Sequence, residues 1–454
     1  MSAPVAAATA APAGARADLS CDDLRLWGFV AFGALAVAGV MALLLALSRV
    51  PGLGAVFPAD FFYKGLVVHV IFSLLVWLLA NLGMHMSIAT MGGWLGRMGR
   101  WLALAAFPCL LAPSFFSAAP AQLANYIPLI DHPLYDVGLG LLALGLFATA
   151  LQLLANLRGK LSGLTLQGAG AATMACVYVL ALLTFALAAV ALLRGGDFVN
   201  SREQFNWGGG HVLQFAYAAL LLTNWTLLVR QIFGEKAVAE RAFRLALALI
   251  AALALPSLAF YVVFGPYSET LREAYRFLKY GLGVPALLVG ATLIAGVSRA
   301  PPEKWDWRDP ALVALALSVV LFAVGGLMGA AITGSDTRTP AHYHAVITAV
   351  SLSCMGFWLK SGFSRLGGAP IPARWARLFL LLYGGGQLLA SLGMFVAGGY
   401  GALRKTPEAA GPLAHVAAAG MAVHGAGAVL AVCGGAGVVV LALRALVVFR
   451  AARP

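Results

Sequence analysis

Apolar runs of roughly 20 residues recur from one end of this chain to the other, each long enough at about 1.5 Å per residue to cross a hydrocarbon core of about 30 Å. They fall near 25–48, 63–88, 98–118, 133–156, 168–194, 207–232, 241–264, 275–297, 310–333, 342–363, 374–397 and 413–446. Lipid leaves only helices and closed barrels as spanning structures, and no run shows the strict alternation that a barrel strand needs. The pattern therefore predicts an all-α integral membrane protein, a bundle of twelve transmembrane helices. Residues 1–24 read as a disordered cytoplasmic leader, Ala-rich and weakly charged; 25–450 as a single membrane domain; and 451–454 as a tail. The apolar stretch after the leader is too long for a signal-peptide core, so the first helix is expected to be retained.

Composition agrees: 61% of the 454 residues are hydrophobic, 10% are charged, and mean hydropathy is +0.90, far outside the soluble range. The five cysteines (Cys21, Cys109, Cys176, Cys354, Cys433) show no ligand spacing and read as small core residues. A net charge of +13 raises the question of nucleic acid, but the distribution of that charge answers it. With the N-terminus placed in the cytoplasm, twenty of the thirty Lys and Arg fall on the inner side. That is the positive-inside bias, so both termini are expected in the cytoplasm, in a bacterial inner membrane, with no nucleic-acid partner.

Ionisable residues inside a bilayer are costly and mark function by default. His69 lies early in the second run, His211 early in the sixth, and His342 and His344 open the tenth. All three helices are even-numbered, so all run from outside to inside, and the four histidines share a depth within roughly 10 Å of the outer surface. Two residues apart means about 200° of rotation, so His342 and His344 leave opposite sides of one helix and can hold two flat cofactors, one on each flank. His69, at matching depth, is positioned to add a second axial ligand to one of them. The competing reading for any single histidine is an interhelical hydrogen bond. That reading is preferred for His85, at the far end of the second run, and for His424. His132 reads as a loop-ordering residue, and His415 is undecided.

These residues resemble subunit I of the heme-copper oxidase superfamily, the catalytic subunit of cytochrome c oxidases and nitric oxide reductases. The resemblance implies a twelve-helix bundle with a low-spin heme between His69 and His344 and a high-spin heme on His342, both expected to be b-type. The segment Trp207-Gly208-Gly209-Gly210-His211 resembles the sixth-helix approach to the copper ligand, which makes His211 a candidate for copper or a non-heme metal. The segment Gly399-Tyr400-Gly401-Ala402-Leu403-Arg404-Lys405 resembles the loop that pairs cations with heme propionates, which assigns that role to Arg404 and Lys405. The family's adjacent histidine pair after the seventh helix is missing: Tyr267 and Ser268 stand there. One imidazole is a poor copper site, so copper is doubtful. Phe215 occupies the position where a tyrosine often cross-links a copper ligand, leaving Tyr217, Tyr267 and Tyr280 as tyrosines to place, with Tyr267 the catalytic candidate. Glu269, the nearest acid for a non-heme iron, shares its loop with Arg272 and Glu273 and reads as solvated.

The resulting expectation is a membrane oxidoreductase subunit. It would take electrons on the outer side from a donor such as cytochrome c or a cupredoxin-like subunit, pass them through the low-spin heme, and reduce oxygen or nitric oxide, alongside further membrane subunits. Few acids lie deep in any span, so an acid-based proton path is not indicated. The alternative is a copper-less diheme protein for electron transfer, gas sensing or assembly. A cofactor-free transporter is the third class.

Overall fold

A computed structural model describes residues 13–48, 56–58, 60–90, 93–124, 127–158, 163–195, 201–332, 336–367, 371–404 and 414–448, with side chains from residue 21 onward. Lys405, the first half of the expected leader and the expected tail 451–454 lie outside the described residues.

Among the described residues, twelve helices are long and apolar enough to cross a membrane: α1 (Cys21–Ser48), α2 (Phe61–Thr90), α3 (Trp94–Phe115), α4 (Pro133–Asn156), α5 (Leu166–Arg194), α6 (Arg202–Phe233), α7 (Glu240–Val263), α8 (Glu269–Val297), α9 (Pro310–Ala330), α10 (Arg338–Arg365), α11 (Ala373–Gly399) and α12 (His415–Val448). Helical backbone continues N-terminally from α1 to Ala13. A two-residue antiparallel pair, β1 (Ala121–Gln122) with β2 (Leu129–Ile130), closes the α3–α4 loop. The observed spans follow the apolar runs closely. The largest departures are α6 and α8, which begin about one turn or more before their apolar runs, because their first turns are polar but still helical.

Consecutive helices pack as antiparallel hairpins, α1–α2, α3–α4, α5–α6, α7–α8, α9–α10 and α11–α12. The central positions go to every fourth helix. α2, α6 and α10 are 72%, 83% and 78% buried along their apolar windows, whereas no other span exceeds 50%. These are the three helices that carry His69, His211, His342 and His344. A helix that avoids lipid on all sides has no need of an apolar face all round, which is why the polar residues concentrate there.

Small residues and polar clamps set the packing. α11 and α12 approach backbone to backbone, so that a Cβ on Gly393 would sit 2.5 Å from the Gly420 carbonyl oxygen. Close approach through glycine is a standard means of helix association in lipid, where burial alone gives no drive. In the half of the bundle opposite the histidine cluster, Trp27 donates to Ser87 at 2.9 Å and Trp358 to Asn81 at 3.0 Å. Asp23 pairs with Arg100 between α1 and α3.

Candidate functional site

His69, His211, His342 and His344 fall within the first ten residues of helices that run parallel to one another, so they gather at one level of the bundle. Each imidazole is oriented through its Nδ1. His69 Nδ1 lies 2.9 Å from the Ala38 carbonyl oxygen on α1, and His342 Nδ1 lies 2.7 Å from the Gly325 carbonyl oxygen on α9. His211 Nδ1 lies 2.7 Å from the Trp207 carbonyl oxygen one turn earlier, and His344 Nδ1 lies 3.2 Å from Gln387 Oε1 on α11. A carbonyl oxygen only accepts, so each of these contacts fixes the Nδ1–H tautomer and puts the lone pair on Nε2. For His69, His342 and His344 no hydrogen bond among the described residues uses that Nε2. A ring held by an acceptor at one nitrogen with its other nitrogen available is the arrangement of a metal-ligating histidine.

His69 and His344 lie within electrostatic range of each other across α2 and α10. Beyond His69, the segment Ile71–Val76 is π-helical, and Ser73 Oγ takes the His69 carbonyl oxygen at 2.6 Å. Such local widening is frequent at functional sites. His342 owes its place to α9: a Cβ on Gly329 would stand 2.8 Å from the imidazole, so only glycine leaves room for the ring.

The remaining histidines differ in the same terms. His85 is fully buried and uses both nitrogens, Nε2 with Asn224 Oδ1 at 2.9 Å and Nδ1 with Gln167 Nε2 at 2.8 Å. It has no nitrogen to offer a metal and links α2 to α5 and α6. His132 caps α4 by accepting from the Leu134 N–H at 3.1 Å. His424 Nδ1 has a long contact with the Ala390 carbonyl oxygen at 3.4 Å, and His415 is exposed at the start of α12.

Around His211 the neighbours are Trp207 and Tyr275, with ring centroids at 4.9 and 5.6 Å, and the cations Lys279 and Arg276 within electrostatic range. The tyrosine beside His211 is thus Tyr275, whose hydroxyl donates to the Ser257 carbonyl oxygen at 2.9 Å. Tyr267 is 49% exposed and bonds Ser201 Oγ at 2.5 Å, and Tyr280 is 60% exposed. Tyr217 buries its hydroxyl on α6. Glu269 lies 3.8 Å from Arg272, which also approaches Glu203 at 3.6 Å, so this acid belongs to a surface charge cluster. No group of three His, Cys, Asp or Glu suited to a metal occurs among the described residues.

At the start of α10 the loop expected to meet propionates is stapled in place. Asp336 forms an antiparallel bridge with Leu403, and the Thr337 N–H donates to the Ala402 carbonyl oxygen at 3.0 Å. Gly401, at φ +90°, makes the turn that brings the chain back from α11. Arg404 therefore stands near the histidine helix, within electrostatic range of Asp336 and Tyr343. The bidentate contact with Arg338 holds the Asp336 carboxyl below the usual carboxylate range, and Arg404 adds to this.

A family model described as cytochrome c and quinol oxidase polypeptide I matches residues 24–433. The chain belongs to that family. It is a multi-pass membrane protein of the heme-copper oxidase subunit I type. Its fold is similar to a cryo-EM structure of a heme-copper terminal oxidase dimer, with a TM-score of 0.75 at 16% identity over 96% of this chain and 84% of the other. It is 31% identical over 332 residues to an uncharacterized protein of Aquifex aeolicus, covering 72% of this chain and 81% of that one. A protein of Rickettsia prowazekii, also uncharacterized, is 22% identical over 447 residues, covering 84% and 88%.

The family implies heme, and the donors present fit it: three imidazoles on the central helices, each held at Nδ1 with Nε2 free of hydrogen bonds among the described residues, have the chemistry that heme iron takes. Copper fares differently. Among the described residues, one imidazole with a tryptophan and a tyrosine against it and two cations in electrostatic range is a poor copper donor set.

Proposed function

We propose that this chain binds two hemes, a low-spin heme held between His69 and His344 and a high-spin heme held by His342, both b-type. The observation that carries the reading is the shared Nδ1 anchoring of the three rings at one level of the bundle, with Nε2 available in each. Ala38, Gly325 and Gln387 orient the ligands and strengthen them as donors. His342 and His344 project to opposite flanks of α10 and so keep the two hemes on separate sides of one helix. Arg404 is positioned to neutralise propionates, and Lys405 follows it in the chain. Heme held by His342 would supply the iron chemistry that binds a diatomic ligand such as oxygen or nitric oxide. His211 and Trp207, on the helix packed against α10, would line the side from which such a ligand approaches. Electrons enter from the outer side of a bacterial inner membrane, given by cytochrome c or a cupredoxin-like subunit, with both chain termini in the cytoplasm. The related oxidase structure is a dimer, and further subunits are proposed here too.

One observation favours a second reading. The donor set at His211 is poor for copper, which suits a diheme protein for electron transfer, gas sensing or assembly rather than a terminal reductase. Both readings need the two hemes. Reduced and reduced-plus-carbon-monoxide spectra test them together: His69→Ala and His344→Ala should each remove the low-spin band and leave the carbon-monoxide-binding heme, and His342→Ala the reverse. Both bands surviving in all three variants would overturn the assignment.

A further inference from the structure

α6 and α8 are both even-numbered, run in the same direction and pack along each other at the histidine end. On α6, Glu203, Trp207 and His211 recur every four residues and share one face; on α8, Arg272, Arg276 and Lys279 recur at four and three and share another. Two contacts fix how these faces register. The Arg272 guanidinium approaches Glu203 at 3.6 Å and stacks over the Trp207 ring at 4.5 Å. Lys279 lies seven residues deeper than Arg272, roughly 10 Å down the helix, and His211 lies a similar distance below Glu203. Lys279 is therefore level with His211. The helix of His211 packs against the helix of His342, and Lys279 stands within electrostatic range of both histidines.

The other cations of the stripe are spoken for: Arg272 by Glu203 and Glu269, and Arg276 by Glu273. Lys279 is half-buried and makes no ion pair among the described residues; its ammonium lies 5.6 Å from the Tyr280 ring centroid. The charges in range of it, Glu273 and Arg276, are paired with each other, so a half-buried ammonium with no carboxylate in contact is left to attract an anion.

We propose that Lys279 is an anion-binding residue on the open face of the His342 site, a fixed protein cation that selects small monovalent anions, or diatomic ligands as they gain negative charge, over neutral ligands. This rests on the heme reading above. The test uses the heme-loaded protein and two probes, azide with the oxidised form and carbon monoxide with the reduced form, both read optically. Lys279→Met should weaken azide binding about tenfold or more, the effect of removing one unit charge a few ångströms from the anion. Lys279→Arg, which keeps the charge, should stay near wild type, and carbon monoxide affinity should hold in both. If Lys279→Met fails to assemble, chloride competition in the wild type still decides, since an anion site should lose azide affinity as chloride rises at constant ionic strength. Unchanged azide affinity in Lys279→Met, a parallel loss of azide and carbon monoxide binding, or no chloride competition each overturns the proposal. A wild-type protein with no carbon-monoxide-binding heme overturns it by removing the heme reading itself, which is a different result from intact carbon monoxide binding with indifferent azide.

Discussion

The imidazole of His342 and the backbone of Gly325 are joined by a 2.7 Å hydrogen bond that crosses from α10 to α9, and the ring so held fills the place where Gly329 would carry a Cβ. An anchor and a gap one turn apart on the same helix face define where the ring sits. Neither feature alone would: without the anchor the ring rotates, and without the gap it is displaced.

The gap yields the first prediction. Gly329→Val places two methyl groups where the imidazole now lies, and an overpacked contact of this kind typically costs about 1–3 kcal/mol. The ring can escape by rotating away from Gly325, so the expected outcome is loss of most of the carbon-monoxide-binding signal while the low-spin band is retained. Equal intensity of both bands in wild type and variant would show that Gly329 does not position His342.

His85 predicts the opposite pattern. It is buried in the half of the bundle away from the cluster, and its partners Asn224 and Gln167 have no water to turn to. His85→Ala orphans one acceptor and one donor, at about 1–3 kcal/mol per buried polar group in soluble proteins and nearer 0.6 in membrane bundles. Thermal unfolding in detergent should shift down by an amount in that range, while heme content per folded chain stays unchanged. Loss of a heme band in folded His85→Ala would mean that this clamp sets the register of the ligands.

Why the helices were readable and the site only partly so follows from what lipid demands. Backbone groups in a bilayer must be satisfied within the segment, so span length is written directly into the run of apolar residues, and the twelve spans emerge with small errors at their ends. The largest errors have one cause: the first turns of α6 and α8 carry Arg202, Glu203, Glu269 and Arg272, which an apolar pattern excludes but a helix accepts. The depth shared by His69, His211, His342 and His344 was likewise legible, being a matter of counting. Their anchors were not, because Ala38 and Gly325 contribute only carbonyl oxygens, which every residue has. Tyr275 and Lys279 escaped for a different reason. Their signal, the spacing Arg272, Arg276, Lys279, was present, but it lies on a helix read for its hydrophobicity, and its meaning depends on the register of α8 against α6.

Asp336 gives a prediction in pH. Its hydrogen bonds from Arg338 hold the carboxyl below the usual carboxylate range in the folded state. A depressed folded-state pKa contributes stability that is fully present above the unfolded value near about 4 and is lost as pH falls through the folded value. The loop 399–404, tied to Asp336 and Thr337, should therefore keep its docking from neutral pH down to about 4 and release it below. Asp336→Asn should lower stability at neutral pH by about 1 kcal/mol, as for a partly exposed ion pair, and flatten the acid limb of a melting-temperature profile. An acid limb identical to wild type would remove Asp336 from this role.

The last prediction concerns copper. Copper bound tightly by protein needs several imidazole or sulfur donors, and among the described residues the rings against His211 are Trp207 and Tyr275, with Arg276 and Lys279 in electrostatic range. Tyr267 and Ser268, which the sequence resemblance sets in the place of the family's histidine pair, make other contacts: Tyr267 bonds Ser201 at 2.5 Å, and the Ser268 side chain caps α8 by accepting from the Leu271 N–H at 3.2 Å. A cation at Lys279, within electrostatic range of His211, would add repulsion of a divalent ion to the shortage of donors. Losing a mere supporting contact of a metal site costs about 10 to 100-fold in affinity, and losing two of three ligands should cost far more. Protein purified without chelator should therefore contain two hemes and well under about one-tenth of a copper per chain, and His211→Ala should leave the metal content unchanged. One copper per two hemes that disappears in His211→Ala would contradict this. It would require donors from outside the described residues or a rearrangement that moves Lys279 away from His211, and Lys279→Met would then be expected to raise copper affinity rather than lower anion affinity.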